Sequence, residues 1–97
     1  MDRYVIERTL PGAGQLSTQE LQDISAMSND VLAEMSDDVA WVQSDVAWVQ
    51  SYVTDDKLYC VYDATDPALI AEHAKRGGFP CDSVKPVSGM STPESGR

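Results

Sequence analysis

The seven residues at positions 38–44, Asp-Val-Ala-Trp-Val-Gln-Ser, are repeated without a mismatch at positions 45–51. Such identity indicates an in-frame duplication of the coding segment. Two copies of seven residues are too few for a solenoid or a coiled coil. Side chains of a β-strand alternate between its faces, so an insertion of odd length moves the second copy to the opposite face. Trp41 and Trp48 therefore cannot both face the core from one continuous strand.

The second copy is the better candidate for the native strand. A strand that covered both copies would span roughly 50 Å at about 3.3 Å per residue, far more than strands in small domains. The second copy adjoins a predicted turn at residues 54–57, which fixes its register with a strand at residues 58–63. We predict a strand at residues 46–53, with residues 38–44 accommodated as a loop, a bulge or a strand overhang. The alternative is a new apolar contact made by Trp41, for example within a dimer.

The first part of the chain predicts a strand and then a helix. Residues 4–8 alternate β-forming with polar side chains, and a proline–glycine segment then breaks the chain. Ser17 and Glu20 have the spacing of a capping box at a helix N-terminus. Apolar residues follow at spacings of three, four and seven, which predicts a helix over residues 18–35.

The last part of the chain predicts a second helix and a short strand. Asp66 and Pro67 are typical of a helix start, because the carboxylate caps free amides and proline lacks one. The helix is expected to run to Arg76, with Gly77 as its left-handed cap. Residues 83–87 read as a short final strand.

This order of elements, β-α-β-β-α-β, predicts an α+β fold of the ferredoxin-like type. It has a four-stranded antiparallel sheet in the strand order 4-1-3-2, with both helices on one face. The domain is assigned to residues 1–87, and residues 88–97 are expected to be disordered because they have little to bury. The sheet face without helices carries apolar residues, which favours a sheet-on-sheet homodimer with a closed symmetric interface.

The net charge of −9 excludes whole classes of partner. Nucleic acid and anionic membrane surfaces both require clustered lysine and arginine, and the chain has seven such residues. No apolar run approaches the roughly 20 residues needed to cross a bilayer, and the start of the chain lacks the pattern of a signal peptide. A cytoplasmic location is therefore expected, with Cys60 and Cys81 reduced.

Three side chains are candidates for metal chemistry. His73 is the one histidine in the sequence and lies beside the inward face of the second predicted helix. The expected strand order places Glu7 of the first strand beside Cys60 of the third, so Glu7, Cys60 and His73 can supply one oxygen, one sulfur and one nitrogen ligand. Nickel, zinc and cobalt accept such mixed sets. The competing interpretations are that His73 is a packed core residue and that Glu7 forms a salt bridge at the surface. No sequence motif for a catalytic nucleophile is present.

Several segments together resemble a family of small bacterial nickel-binding, nickel-responsive proteins catalogued as a domain of unknown function. The segments are Tyr-Val-Ile-Glu-Arg at 4–8 with Pro-Gly at 11–12, residues 48–57, Tyr-Cys-Val-Tyr at 59–62, Glu-His-Ala at 72–74 and Gly-Phe-Pro at 78–80. The resemblance runs from about residue 4 to residue 87, and the pattern of the family lacks the extra heptad. It implies a ferredoxin-like fold, a homodimer and nickel binding, with Glu7, Cys60 and His73 at recurrent motif positions.

Two specific functions of different class follow from these observations, beside a less specific one, an interaction module whose acidic surface meets a basic partner. The first is a small dimeric metal-binding protein, of the nickel type, that acts in metal response or buffering. The alternative is a small-molecule-binding or enzymatic protein of the dimeric α/β-barrel kind, with Glu7 or His73 as an acid–base group in a pocket between sheet and helices. The metal, any substrate and a role for the extra heptad are not specified by the sequence.

Overall fold

The computed structural model describes residues 2–38 and 46–97 of the chain. Its strands and helices follow in the predicted order β-α-β-β-α-β. They are β1 (Asp2–Thr9), α1 (Thr18–Asp38), β2 (Val46–Val53), β3 (Lys57–Ala64), α2 (Pro67–Gly77) and β4 (Ser83–Pro86), with short 3-10 helices at Ala13–Gln15 and Pro93–Gly96.

The four strands form one antiparallel sheet in the order β2-β3-β1-β4. This confirms the predicted α+β, ferredoxin-like class. Ile6 of β1 lies opposite Cys60 of β3 and opposite Val84 of β4, which fixes the register at the centre of the sheet. A tight turn joins β2 to β3, with the Thr54 amide donating to the Lys57 carbonyl at 2.9 Å.

The burial pattern shows which face of the sheet the helices cover. Tyr4, Ile6 and Arg8 alternate as buried residues along β1, and their neighbours in the strand are more exposed. Ile6 packs in one cluster with Leu32 of α1 and Ile70 of α2. Both helices therefore lie on the same face, and no helix formed by residues 2–38 or 46–97 lies over the other face of the sheet.

Local signals at the helix ends act largely as predicted. Ser17 and Glu20 form the reciprocal capping box, since each side chain accepts from the backbone amide of the other at 3.1 Å. The Asp66 carboxylate accepts from the Ala68 amide at 2.9 Å at the start of α2. The prediction that Gly77 is the left-handed cap is wrong: Gly77 belongs to the helix, and Gly78 takes the left-handed conformation with φ of 67°.

The second copy of the repeat forms strand β2, as predicted. Its pairing with β3 shifts at a bulge between Trp48 and Gln50. Trp48 lies opposite Tyr62 and Ser51 lies opposite Cys60, so residues three apart share the face toward the helices. The Trp48 indole nitrogen donates to the Ser51 hydroxyl at 3.0 Å across this bulge. The prediction for residues 38–44 falls largely outside the described residues.

Neither α1 nor α2, nor any other helix in the described ranges, is long and apolar enough to cross a membrane. The residues that follow β4 are mostly exposed, including the short 3-10 helix Pro93–Gly96. The disorder predicted for residues 88–97 stays a prediction.

Candidate functional site

A mostly apolar cavity of about 430 Å³ lies between the sheet and α1. Leu58 and Cys60 of β3 line it from the sheet, and Leu21 and Ile24 of α1 line it from the helix. Its volume falls within the range of roughly 300–1,000 Å³ that is usual for small-molecule sites. The cavity is the principal candidate for a binding site on the helix-covered side of the sheet.

Arg8 is the one charged side chain among the described residues that line the cavity. It is 3% exposed, and its Nη1 donates to the Pro80 carbonyl. The guanidinium carbon lies 6.0 Å from the centre of the Tyr62 ring and 5.8 Å from that of Phe79, within the range of cation–π attraction. Its Nη2 is buried and has no hydrogen-bond partner in the described parts of the chain.

The turn after α2 positions the aromatic and carbonyl groups around Arg8. Gly78, with its positive φ, reverses the chain, and the Phe79 amide donates back to the Ala74 carbonyl at 2.9 Å. A Cβ atom on Gly77 would lie 2.1 Å from the Phe79 ring. Glycine at position 77 therefore allows Phe79 to pack here and Pro80 to meet Arg8.

His73 lies behind the cavity and is fully buried. Its Nε2 is 3.2 Å from both the hydroxyl and the carbonyl oxygen of Ser28. Because a carbonyl only accepts, Nε2 must carry the hydrogen, and Nδ1 is left as a buried acceptor without a partner among the described residues. Burial and, to a smaller extent, the charge of Arg8 lower the pKa of His73, against the opposing hydrogen bond to the Ser28 carbonyl. The ring is therefore neutral near pH 7.

Tyr62 contributes no charge to the site either. Burial is the main cause that raises the pKa of the Tyr62 hydroxyl, and the charge of Arg8 and a hydrogen bond with Ser28 oppose it. A raised pKa keeps this phenol protonated at neutral pH. The positive charge of Arg8 thus has no ionised partner among the described groups next to it.

Cys60 and His73, two of the predicted metal ligands, lie on the same side of the sheet. Cys60 is 4% exposed, lines the cavity and lies opposite Ile6 in the sheet. The two residues share neighbours, since the Tyr62 ring lies 5.5 Å from the imidazole and two residues from Cys60. The second cysteine, Cys81, is exposed and lies in the segment before β4.

Glu7, the third predicted ligand, lies on the other side of the sheet. It follows Ile6 in β1, so its side chain points to the face without helices, where it lies opposite Tyr59. There it forms a salt bridge with Lys57, whose pKa is raised chiefly by this hydrogen bond. The strand order is as expected, but the register places the side chains of Glu7 and Cys60 on opposite faces of the sheet.

These placements do not fit a nickel site within one chain. No group of three or more histidine, cysteine, aspartate or glutamate residues within the ranges 2–38 and 46–97 is placed to hold an ion. Nickel sites in proteins use several nitrogen, oxygen or sulfur ligands together. The ligand set Glu7, Cys60 and His73 stays a prediction, and one copy of the chain does not bring all three together.

Arg8 is the functional candidate that the sequence reasoning missed. A signal was present, because positions 4, 6 and 8 of an alternating strand share one face and the first two are Tyr4 and Ile6. That pattern places a guanidinium on the core side of the sheet. A buried charge needs a partner, so the alternation alone indicates that Arg8 is a candidate functional residue.

Comparisons with known proteins point to one family. A family model described as "Nickel responsive protein SCO4226-like" matches residues 4–87. The crystal structure of SCO4226 from Streptomyces coelicolor A3(2) is similar, with a TM-score of 0.70 and 12% sequence identity over 92% of this chain and 99% of that chain. At this identity the structural likeness concerns the fold. A search of curated proteins finds no match.

Proposed function

Because the chain belongs to the SCO4226-like family of nickel-responsive proteins, we propose that it is a small homodimeric nickel-binding protein. We place its action in nickel response or nickel buffering in the cytoplasm. The match of the family model over residues 4–87 is the observation that carries this proposal. The ligand chemistry is compatible with it, since glutamate, cysteine and histidine all serve as nickel ligands.

The uncovered face of the sheet supports the dimer. Val5 and Val61 pair across β1 and β3 on this face and are partly buried, next to Tyr59. Tyr52 is 57% exposed on the neighbouring strand. A second copy packed face to face would cover these side chains by an isologous contact, in which the same patch serves both partners.

Such a dimer also offers nickel a more complete ligand set than one chain does. Glu7 lies on the uncovered face, so a two-fold contact there brings carboxylates of both copies to one interface. We rank Glu7 first among the proposed ligands because it and its partner Lys57 are both partly exposed. Cys60 and His73 are buried between the sheet and the helices, on the opposite side of the sheet from Glu7, so either one contacts an ion held by Glu7 only if the fold rearranges.

Calorimetric titration of the tag-free chain with nickel chloride tests this proposal. The expected result is saturable binding with a Kd below about 1 mM, weakened by at least about tenfold in Glu7→Gln. Glu94→Gln, at the exposed 3-10 helix far along the chain, is the matched control and should bind as the parent does. A similar loss in folded Cys60→Ser or His73→Gln would assign that residue as a ligand. Absence of binding by the parent chain would contradict the proposal.

A second candidate function, small-molecule binding, is favoured by the cavity between the sheet and α1. The cavity is mostly apolar and contains a convergent polar group, as binding sites usually do. Glu7 lies on the far face of the sheet, and His73 is held by Ser28 behind the cavity wall. These positions support binding more than acid–base catalysis by either residue.

A further inference from the structure

We propose that the cavity between the sheet and α1 binds a small organic carboxylate with an apolar body, and that Arg8 pairs with its carboxylate. This inference gives a chemical class to the second candidate function and is independent of nickel binding. Its basis is the combination of an apolar cavity with one buried and incompletely satisfied guanidinium.

The buried charge of Arg8 has no carboxylate partner among the described residues. A guanidinium that is 3% exposed has lost most of its contact with water, and such a group is costly to bury without an ionic partner. No carboxylate of the described residues forms a salt bridge with Arg8. Its close ring neighbours are Tyr62 and Phe79, which attract a cation through their faces but supply no carboxylate. An anion in the cavity would supply the missing charge.

The hydrogen-bonding capacity of the Arg8 guanidinium is only partly used. Nη1 of Arg8 is committed to the Pro80 carbonyl, and Nη2 has no partner in the described parts of the chain. A guanidinium nitrogen donates well to a carboxylate oxygen, and a charge-assisted bond of this kind is about twice as strong as a neutral one. Arg8 lines the cavity but Nη2 itself is buried, so an occupant pairs with it after a rotation of the guanidinium toward the cavity.

The remaining walls of the cavity indicate the chemistry of the rest of the occupant. Away from Arg8 the walls are formed mainly by aliphatic and aromatic residues, including Leu21, Ile24 and Leu58. The other lining residues with hydroxyl groups are Ser25, Ser28, Ser51 and Tyr62. One guanidinium and four hydroxyl-bearing residues suit a monoanionic head better than a phosphate dianion, and the walls suit an alkyl or aryl body.

A matched pair of probes separates charge from shape: 3-phenylpropanoate and its neutral amide, 3-phenylpropanamide. Each is titrated into the full-length chain at pH 7 and followed by calorimetry and by amide chemical shifts. We expect saturable binding of the acid and at least about tenfold weaker binding of the amide. The shifted amides should be those of β1, α1 and the segment after α2.

Two arginines of strand β1 make a matched set of variants. Arg8→Gln removes the charge within the cavity, and Arg3→Gln removes the charge of an exposed arginine that pairs with Asp63. Arg8→Gln should weaken binding of the acid to the level of the amide, and Arg3→Gln should leave it unchanged. Equal binding of acid and amide by the parent chain, or undiminished binding by folded Arg8→Gln, would overturn the carboxylate assignment while leaving a small-molecule site in place.

A further variant covers the case in which Arg8→Gln does not fold. Ser25→Leu extends an apolar side chain into the cavity from α1 and leaves Arg8 intact. It should abolish binding of the acid, and retained binding in this variant would place the acid elsewhere and overturn the inference. If neither probe binds the parent chain at any accessible concentration, the inference and the second candidate function fail together, and the nickel proposal is unaffected.

Discussion

Protonation of His73 should destabilise the folded chain as the pH falls below 7. The imidazole is fully buried, near the positive charge of Arg8, and these two causes lower its pKa in the folded state. The unfolded chain has the ordinary histidine pKa of 6.5 and therefore binds the proton more readily than the folded chain in this range. Stability then rises with pH across the window between the folded and unfolded pKa values, and it falls as the pH is lowered through that window.

The size of the effect is bounded by the one proton involved. The free energy of unfolding can change by no more than about 1.4 kcal/mol per pH unit for a single group. Because the unfolded chain begins to bind the proton only near its pKa of 6.5, the loss between pH 7 and pH 5 is at most about 2 kcal/mol. Few other groups titrate between pH 7 and pH 5, because His73 is the only histidine in the sequence and carboxylates titrate mainly at lower pH.

Urea unfolding followed by far-ultraviolet circular dichroism, at half-unit steps from pH 7.5 to 5, measures this dependence. The parent chain should lose stability on acidification, and His73→Gln should give a nearly flat profile whatever its absolute stability. Glutamine retains a donor for the Ser28 carbonyl but does not titrate. An equal slope in His73→Gln, or a flat profile in the parent chain, would refute the reasoning.

Three further predictions concern the fold. Gly77→Ala should lower the free energy of unfolding in urea by about 1–3 kcal/mol because its Cβ meets the Phe79 ring. Gly78→Ala should lower it by about 1 kcal/mol because of the positive φ at this position alone. Unchanged stability in Gly77→Ala would contradict the assigned contact with Phe79. Ser17→Ala should lower stability by about 1 kcal/mol in the same assay, because it removes the acceptor for the Glu20 amide; an unchanged midpoint would contradict the assigned cap. Deletion of residues 38–44 should leave a folded chain with unchanged oligomeric state by circular dichroism and light scattering, and loss of folding would contradict a tolerated insertion.

The fold could be predicted because its signals are local. The capping box at Ser17 and Glu20 and the start of α2 at Asp66 are each contained within a few residues. The predicted end of α2 is one residue too early, because the sequence alone does not show which of the adjacent glycines Gly77 and Gly78 is the left-handed cap. The position of the Phe79 ring, a tertiary contact, keeps the first glycine in the helix.

The candidate site depended on register, which the sequence does not encode locally. Glu7 and Cys60 lie on adjacent strands as expected, yet Cys60 pairs with Ile6, so Glu7 points to the other face. The bulge in β2 has a similar effect, because it places Trp48 and Ser51 on one face despite their odd separation. The alternation of side chains within one strand can be predicted from the sequence. Which residues of two neighbouring strands pair, and therefore share a face, can be seen only in the structure.

The proposed function requires both dimer formation and nickel binding, and one experiment measures both. Native mass spectrometry of the tag-free chain, incubated with a small excess of nickel and transferred to a volatile buffer, gives the mass of the assembly and the number of ions that it retains. The account predicts a species of twice the 10.6 kDa chain mass that carries nickel, and loss of the ion in Glu7→Gln. A metal-free monomer in the presence of excess nickel would contradict it.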